Sequence, residues 1–198
     1  MMINQAFLFQ LDDIELLGFI ENQFDSPDYL STDVIRMLAR DILRRNEQHL
    51  VSNLLILLDK RKDAYVADII VRLFNRRLDS ENTILLMSYF FERGLESDVL
   101  SEYCVSIISA DQSEIGSNDP SRMVASRILL LLDKKSYLDS LRSLFLYETN
   151  VFVKTDLASY LLRHERDAAS LNFLQSNIRS NNCEVREYTA ECMNLVDS

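Results

Sequence analysis

Residues 182–193 read Asn182-Cys183-Glu184-Val185-Arg186-Glu187-Tyr188-Thr189-Ala190-Glu191-Cys192-Met193, and two earlier stretches follow the same plan. They are Asp63-Ala64-Tyr65-Val66-Ala67-Asp68-Ile69-Ile70-Val71-Arg72-Leu73-Phe74 and Asn150-Val151-Phe152-Val153-Lys154-Thr155-Asp156-Leu157-Ala158-Ser159-Tyr160-Leu161. Each opens on polar residues, reaches a Val, and places core-forming residues four and eight positions later: Val66/Ile70/Phe74, Val153/Leu157/Leu161 and Val185/Thr189/Met193. Positions four apart return to the same side of an α-helix, so this spacing predicts helices with one inward stripe. Weaker copies begin at Leu30 (Val34, Leu38), Val99 (Tyr103, Ile107) and Val124 (Ile128, Leu132). The anchors 30, 66, 99, 124, 153 and 185 follow one another at intervals of 25 to 36 residues, room for two short helices and two turns. Leu54, Leu141 and Leu174 lie 11 or 12 residues ahead of the strong anchors and mark a preceding apolar helix.

One helical hairpin of this size cannot hide its apolar face alone, whereas neighbouring hairpins can hide one another's. The composition agrees: only 3 Gly and 2 Pro occur in 198 residues, too few for the tight turns of a β-rich fold. Helices are predicted at about 13–24, 27–45, 48–59, 63–76, 80–93, 96–110, 120–133, 136–148, 151–164, 167–179 and 183–196, with no sheet. Asp13, Ser80 and Asp167 are expected as caps, Ser136 with Asp139 as a capping-box-like start, and Gly94 as a helix stop. Ser26-Pro27 and Asp119-Pro120 read as cap followed by Pro in the first helical position. In helix 1 the expected inward stripe is Ile14, Leu17 and Ile20. The polar run 111–118 is the one clear loop.

With these residues in view the chain resembles the HEAT-repeat family in its short bacterial form. Val185-Arg186 with Ala190 matches its Val-Arg and Ala-rich helix best, Val153-Lys154 with Ala158 comes next, and Asp119-Pro120 keeps its turn. The resemblance spans residues 27–196 and departs from the pattern between Val99 and Val124. It implies an all-α, right-handed α-solenoid of about five to six stacked hairpins, or about eleven helices. The layout would be one domain over 1–198, with a capping helix at 1–26, repeats at 27–110, a loop at 111–119 and repeats at 120–198. An irregular helical bundle with the same apolar spacing is the competing architecture.

The net charge is −10, spread over both halves. Such a field repels phosphate backbones and anionic lipid, which argues against nucleic acid and membrane as partners, and it attracts a basic protein surface. It also serves solubility. The basic clusters Arg44-Arg45, Lys60-Arg61-Lys62 and Arg76-Arg77 fall at helix ends, where the helix dipole favours cations. No apolar run is long enough to span a bilayer, and the first residues lack a basic leader, so a cytoplasmic location is expected.

Chemistry-bearing patterns are sparse. Cys104, Cys183 and Cys192 have no metal or redox spacing and are expected as small core residues. His49 and His164 are expected on the surface. No GxSxG, HExxH or phosphate-binding loop occurs. No catalytic residue, metal or cofactor is therefore expected. A helical-repeat DNA glycosylase would need a basic groove, and a HEAT-like lyase would need a deep pocket with converging polar groups.

The expected activity is binding. In the family layout the second helix of each hairpin lines a concave face that grips proteins, which nominates Ser52, Tyr89, Glu92, Asp139, Arg142, Asn172 and Gln175 as partner contacts. The leading expectation is an inhibitor or immunity-type protein that neutralises a toxic enzyme with a basic surface through an acidic concave face. The alternative is an adaptor or assembly scaffold, for which an exposed apolar patch is expected.

Overall fold

Runs of four-spaced apolar residues, punctuated by single Asp, Asn and Gly residues, fold into helices throughout. The computed structural model describes residues 8, 10–25, 30–45, 47–61, 66–110, 116 and 118–196. Among them there are eleven α-helices and no strand. Contacts divide the chain into two compact units, residues 1–100 and 101–198. The first holds α1 (Asp13–Glu21), α2 (Thr32–Arg45), α3 (Gln48–Arg61), α4 (Ala67–Ile70) with a 3-10 turn at Val71–Asn75, and α5 (Ser80–Glu92). Helix α6 (Ser97–Ser109) straddles the division. The second holds α7 (Pro120–Leu132), a 3-10 turn at Lys135–Tyr137, α8 (Leu138–Tyr147), α9 (Val151–Glu165), α10 (Ala168–Asn177) and α11 (Cys183–Val196).

The helix ends follow capping chemistry, often one residue from where the sequence placed it. Asp12, not Asp13, caps α1 and forms a reciprocal capping box with Glu15. Asp79, not Ser80, caps α5 by accepting from Asn82 N–H. Asp119 with Pro120, Asn150 and Asp167 cap α7, α9 and α10. Gly94 ends α5 at φ +61°, and Leu95 N–H closes back on the Phe90 carbonyl. Ser136 is no cap: residues 135–137 form a 3-10 turn, and the junction into α8 carries no side-chain cap. The helix expected over 63–76 is one α-turn and then 3-10, consistent with its β-branched run Val66, Ile69, Ile70, Val71. The expected features at Ser26-Pro27 and Asp63, and most of the 111–118 loop, lie outside the described residues.

Within each unit, alternate helices pack on one another. In the first, α1 lies on α3, α3 on α5 and α2 on α4, and α2 and α3 pair as a hairpin. In the second, α9 touches α7, α8, α10 and α11. The strong anchors are buried: Val66, Ile70 and Phe74; Val153, Leu157 and Leu161; Val185 and Thr189. Met193 is half-buried. Leu54, Leu141 and Leu174 are fully enclosed, as their positions ahead of the anchors predict. Of the weaker copies, Leu30, Val34 and Leu38 are buried as expected, and the other two shift register. In α6 the buried line is Leu100, Cys104 and Ile108, and in α7 it includes Ala125 and Leu129, while Val99, Ile107, Val124 and Leu132 are only half-buried. In α1 the line is Leu16 and Ile20, and Ile14 is 80% exposed.

Polar side chains tie neighbouring hairpins at the same sequence separation. Ser52 Oγ donates to Asn82 Oδ1 at 2.9 Å, and Ser126 Oγ donates to Asp156 Oδ2 at 2.8 Å, both 30 residues on. Arg36 makes a two-pronged bond to Asp68 and Arg45 reaches Asp13, each 32 residues away. Arg61, Arg76 and Arg93 donate to the carbonyls of Leu30, Leu43 and Leu58, 31 to 35 residues back. Arg76 and Arg93 thus satisfy orphan C=O groups in the last turns of α2 and α3, and Arg61 one just ahead of α2, which gives the basic clusters a packing role beyond the dipole.

Candidate functional site

A binding face must be made of side chains that packing leaves over. In the second unit α8 and α10 meet through Phe145 and Phe173, whose rings stand edge to face at 5.7 Å. Lys154 of α9 sits near both rings, with Nζ at 5.2 and 5.6 Å from their centres. With Leu141 and Phe145 of α8 and Leu174 of α10 turned inward, Asp139, Arg142, Asn172 and Gln175 remain exposed. Arg142 is held between Asp139 (3.2 Å) and Glu165 at the end of α9. No residue of α10 is charged, so this pair of helices offers amides and hydroxyls with little net charge. At the end of α8, Leu146 and Tyr147 are 63% and 81% exposed. Helix α11 carries three exposed carboxylates, Glu184, Glu187 and Glu191.

The three nominated residues of the first unit fare differently. Glu92 is exposed. Ser52 is half-buried and engaged by Asn82, which also donates to Gln48. Tyr89 is corrected: at 2% exposure it belongs to the core, edge-on to Phe90, with the Arg93 guanidinium 4.2 Å from its ring centre. Its place in the aromatic run Tyr89-Phe90-Phe91 puts it on the inward side of α5, where a large ring fills space.

The sequence reading missed the most polar constellation. Asp156, on α9, has no exposed surface. It accepts from Ser126 on α7 and from Tyr188 on α11 (both 2.8 Å), and lies 3.4 Å from Cys192 Sγ and 3.8 Å from Arg127. Arg127 stacks on the Tyr188 ring at 4.5 Å and pairs with Glu191 at 3.2 Å. Burial raises the Asp156 carboxyl above its ordinary range, against the pull of Arg127 and the three donors. Burial, with Asp156 beside it, pushes the Cys192 thiol up to about 12 and the Tyr188 hydroxyl higher still. Both groups therefore keep their protons and act as donors to the carboxylate. Enclosed as it is, the cluster clasps α7, α9 and α11 together. The signal for it was present: Ser126, Asp156 and Tyr188 are spaced by 30 and 32 residues, about one repeat.

A second buried clasp joins Arg122 to Glu148, each side chain 1% exposed. Glu148 Oε1 also accepts from the N–H groups of Thr149 and Asn150, and Asn150 then caps α9. His164 is corrected from surface to near-burial: its side chain is 5% exposed, with Nε2 2.8 Å from Asp133 Oδ1. Cys183 is corrected in the other direction, for it is exposed while Cys104 and Cys192 are buried. Among the described residues no three His, Cys, Asp or Glu side chains gather as a metal site, and no helix is long and apolar enough to cross a membrane. Compared with protein-family models, with curated proteins and with solved structures, the chain finds no match.

Proposed function

We propose that this chain is a non-catalytic, protein-binding helical-repeat protein, a HEAT-like α-solenoid that acts by occupying a partner's surface. The observation that carries the reading is the recurrence of hydrogen bonds and ion pairs at 30 to 34 residues, in both units, between side chains that would otherwise be free to do chemistry. Polar groups converge most densely at Asp156, which is sealed from solvent. What faces outward is a plain helical surface, edged by Leu146 and Tyr147. An aromatic and an aliphatic side chain exposed together suit a protein contact better than a small-molecule one.

Within that class the leading reading is an inhibitor or immunity-type protein that captures a basic enzyme. Its support is the net charge of −10 together with exposed carboxylates such as Glu184, Glu187 and Glu191. The adaptor or scaffold reading gains from Leu146 and Tyr147, because an exposed apolar patch is what it requires. Affinity capture from the native host, followed by assay of the captured protein, separates them. A stoichiometric basic partner whose activity disappears on binding, with affinity falling as salt rises, supports inhibition. Salt-independent binding that is lost with Leu146→Ala and Tyr147→Ala supports the adaptor. Turnover of a small substrate by the purified chain ends the whole proposal.

A further inference from the structure

Helix α2 and the segment one repeat later face each other in register 32 residues apart. The first rung of this ladder is Arg36 with Asp68, a two-pronged ion pair at 2.7 and 2.8 Å. At the same separation in sequence come Arg40 and Arg72, then Arg44 and Arg76. These four arginines, with Leu43 and Ile69, line a cleft of about 230 Å³ in the first unit. Like charges brought together across packed elements repel, and removing a partner's positive charge would relieve that strain. Arg44 is steadied by Asp41 and Arg76 by the Leu43 carbonyl. Arg40 and Arg72 are exposed and make no hydrogen bond or ion pair among the described residues. Asp68, which also feels the charge of Arg40, is already taken by Arg36.

We propose that this cleft binds a compact polyanion, a phosphoryl or diphosphoryl group carried by a small molecule. Guanidinium groups are matched to such oxyanions because their forked N–H donors meet two oxygens at once. Arg40 and Arg72 add positive charge beyond what Asp41 and Asp68 already engage. The volume is several times that of a water molecule at ~30 Å³, which accommodates one or two tetrahedral groups above the apolar floor of Leu43 and Ile69. The extent of the cleft selects a small ligand over a polymer. At one end Arg36–Asp68 closes the ladder, and at the other Arg45 is committed to Asp13 and Asp41. A nucleic-acid backbone needs a longer basic track, on a protein that is not strongly acidic overall. The residues of this site belong to the first unit and those of α8 and α10 to the second, so it stands or falls independently of the protein-binding reading.

Calorimetric titration of the full chain with pyrophosphate, and separately with inorganic phosphate, tests the site. One saturable site per chain is expected, tighter for pyrophosphate and weakened by added salt. The pair Arg40→Gln with Arg72→Gln should lose affinity by about tenfold or more, whereas Arg179→Gln, an exposed arginine in the other unit, should not change it. Without ligand the double variant should melt no lower than the parent, since repulsion has been relieved, and this separates loss of binding from loss of fold. No saturable binding, or equal binding by the double variant, overturns the proposal. So does tighter binding of single-stranded oligonucleotides that increases with their length, which would indicate an extended track.

Discussion

Tyr188 donates its hydroxyl to Asp156 Oδ2 over 2.8 Å, from a helix whose sequence lies 32 residues further on. With Ser126 donating from the other side, one buried carboxylate holds α7 and α11 to α9. Asp156→Ala would leave Ser126 and Tyr188 without their acceptor and Arg127 with Glu191 as its remaining counter-charge. Urea unfolding is expected to register a loss of about 3 kcal/mol or more, and Tyr188→Phe a loss of about 1 kcal/mol. The pH dependence has a definite sign. Burial places the folded pKa of Asp156 above its unfolded value, so between the two the native state holds the extra proton. Its contribution to stability is greatest below that window and falls as pH rises through it. Asp156→Asn should flatten this part of the stability curve.

Asp167 titrates in the opposite sense. Bonding to Ser170 at the start of α10 holds its carboxyl below the ordinary range. The cap contributes fully above the unfolded carboxylate pKa and is lost as pH falls through the folded one. Asp167→Ala is expected to cost about 1 kcal/mol at neutral pH. The parent and variant melting curves should converge on acidification.

Arg122 and Glu148 set a trap for single substitutions. Glu148→Gln leaves a buried guanidinium without its counter-charge and should cost about 3–5 kcal/mol. Arg122→Met removes the cation instead and leaves Glu148 its two backbone donors, so its penalty should be smaller. Equal losses in chemical denaturation would show that the pair is not coupled in this way.

The thiols should report the fold directly. Cys183 is exposed, whereas Cys104 and Cys192 are buried and burial raises both their pKa values. A thiol-reactive dye should label one cysteine quickly in the native protein and all three after denaturation. Fast labelling of Cys192 in the native state would contradict the packing of α11 on α9.

Leu146 and Tyr147 are exposed enough to be replaced without disturbing the core. Leu146→Ala with Tyr147→Ala should leave the melting temperature within a degree or two, on the order of a surface substitution. If α8 carries the contact, the same pair should weaken partner binding by about tenfold or more, read by affinity capture.

The helices were legible in the sequence because their evidence is local. Val153, Leu157 and Leu161 sit four apart, and any helix with that spacing must bury them together. Caps at Asp119 and Asp167 were legible for the same reason: a short side chain reaches a backbone N–H two or three residues away. The weaker copies at Val99 and Val124 slipped by a position because these half-buried residues satisfy the pattern almost as well as Leu100 and Ala125.

Which polar residues were spoken for was decided only in three dimensions. Asp156, Arg122 and Arg45 look like ordinary surface charges in the chain, and each is engaged by residues 26 or more positions away. Tyr89 and His164 moved inward, and Cys183 outward, because burial depends on which hairpin lies alongside. Local periodicity thus determined that this chain is helical and where its helices lie. Packing between hairpins, a through-space property with no local mark, decided which charges hold the fold and which remain to meet another molecule.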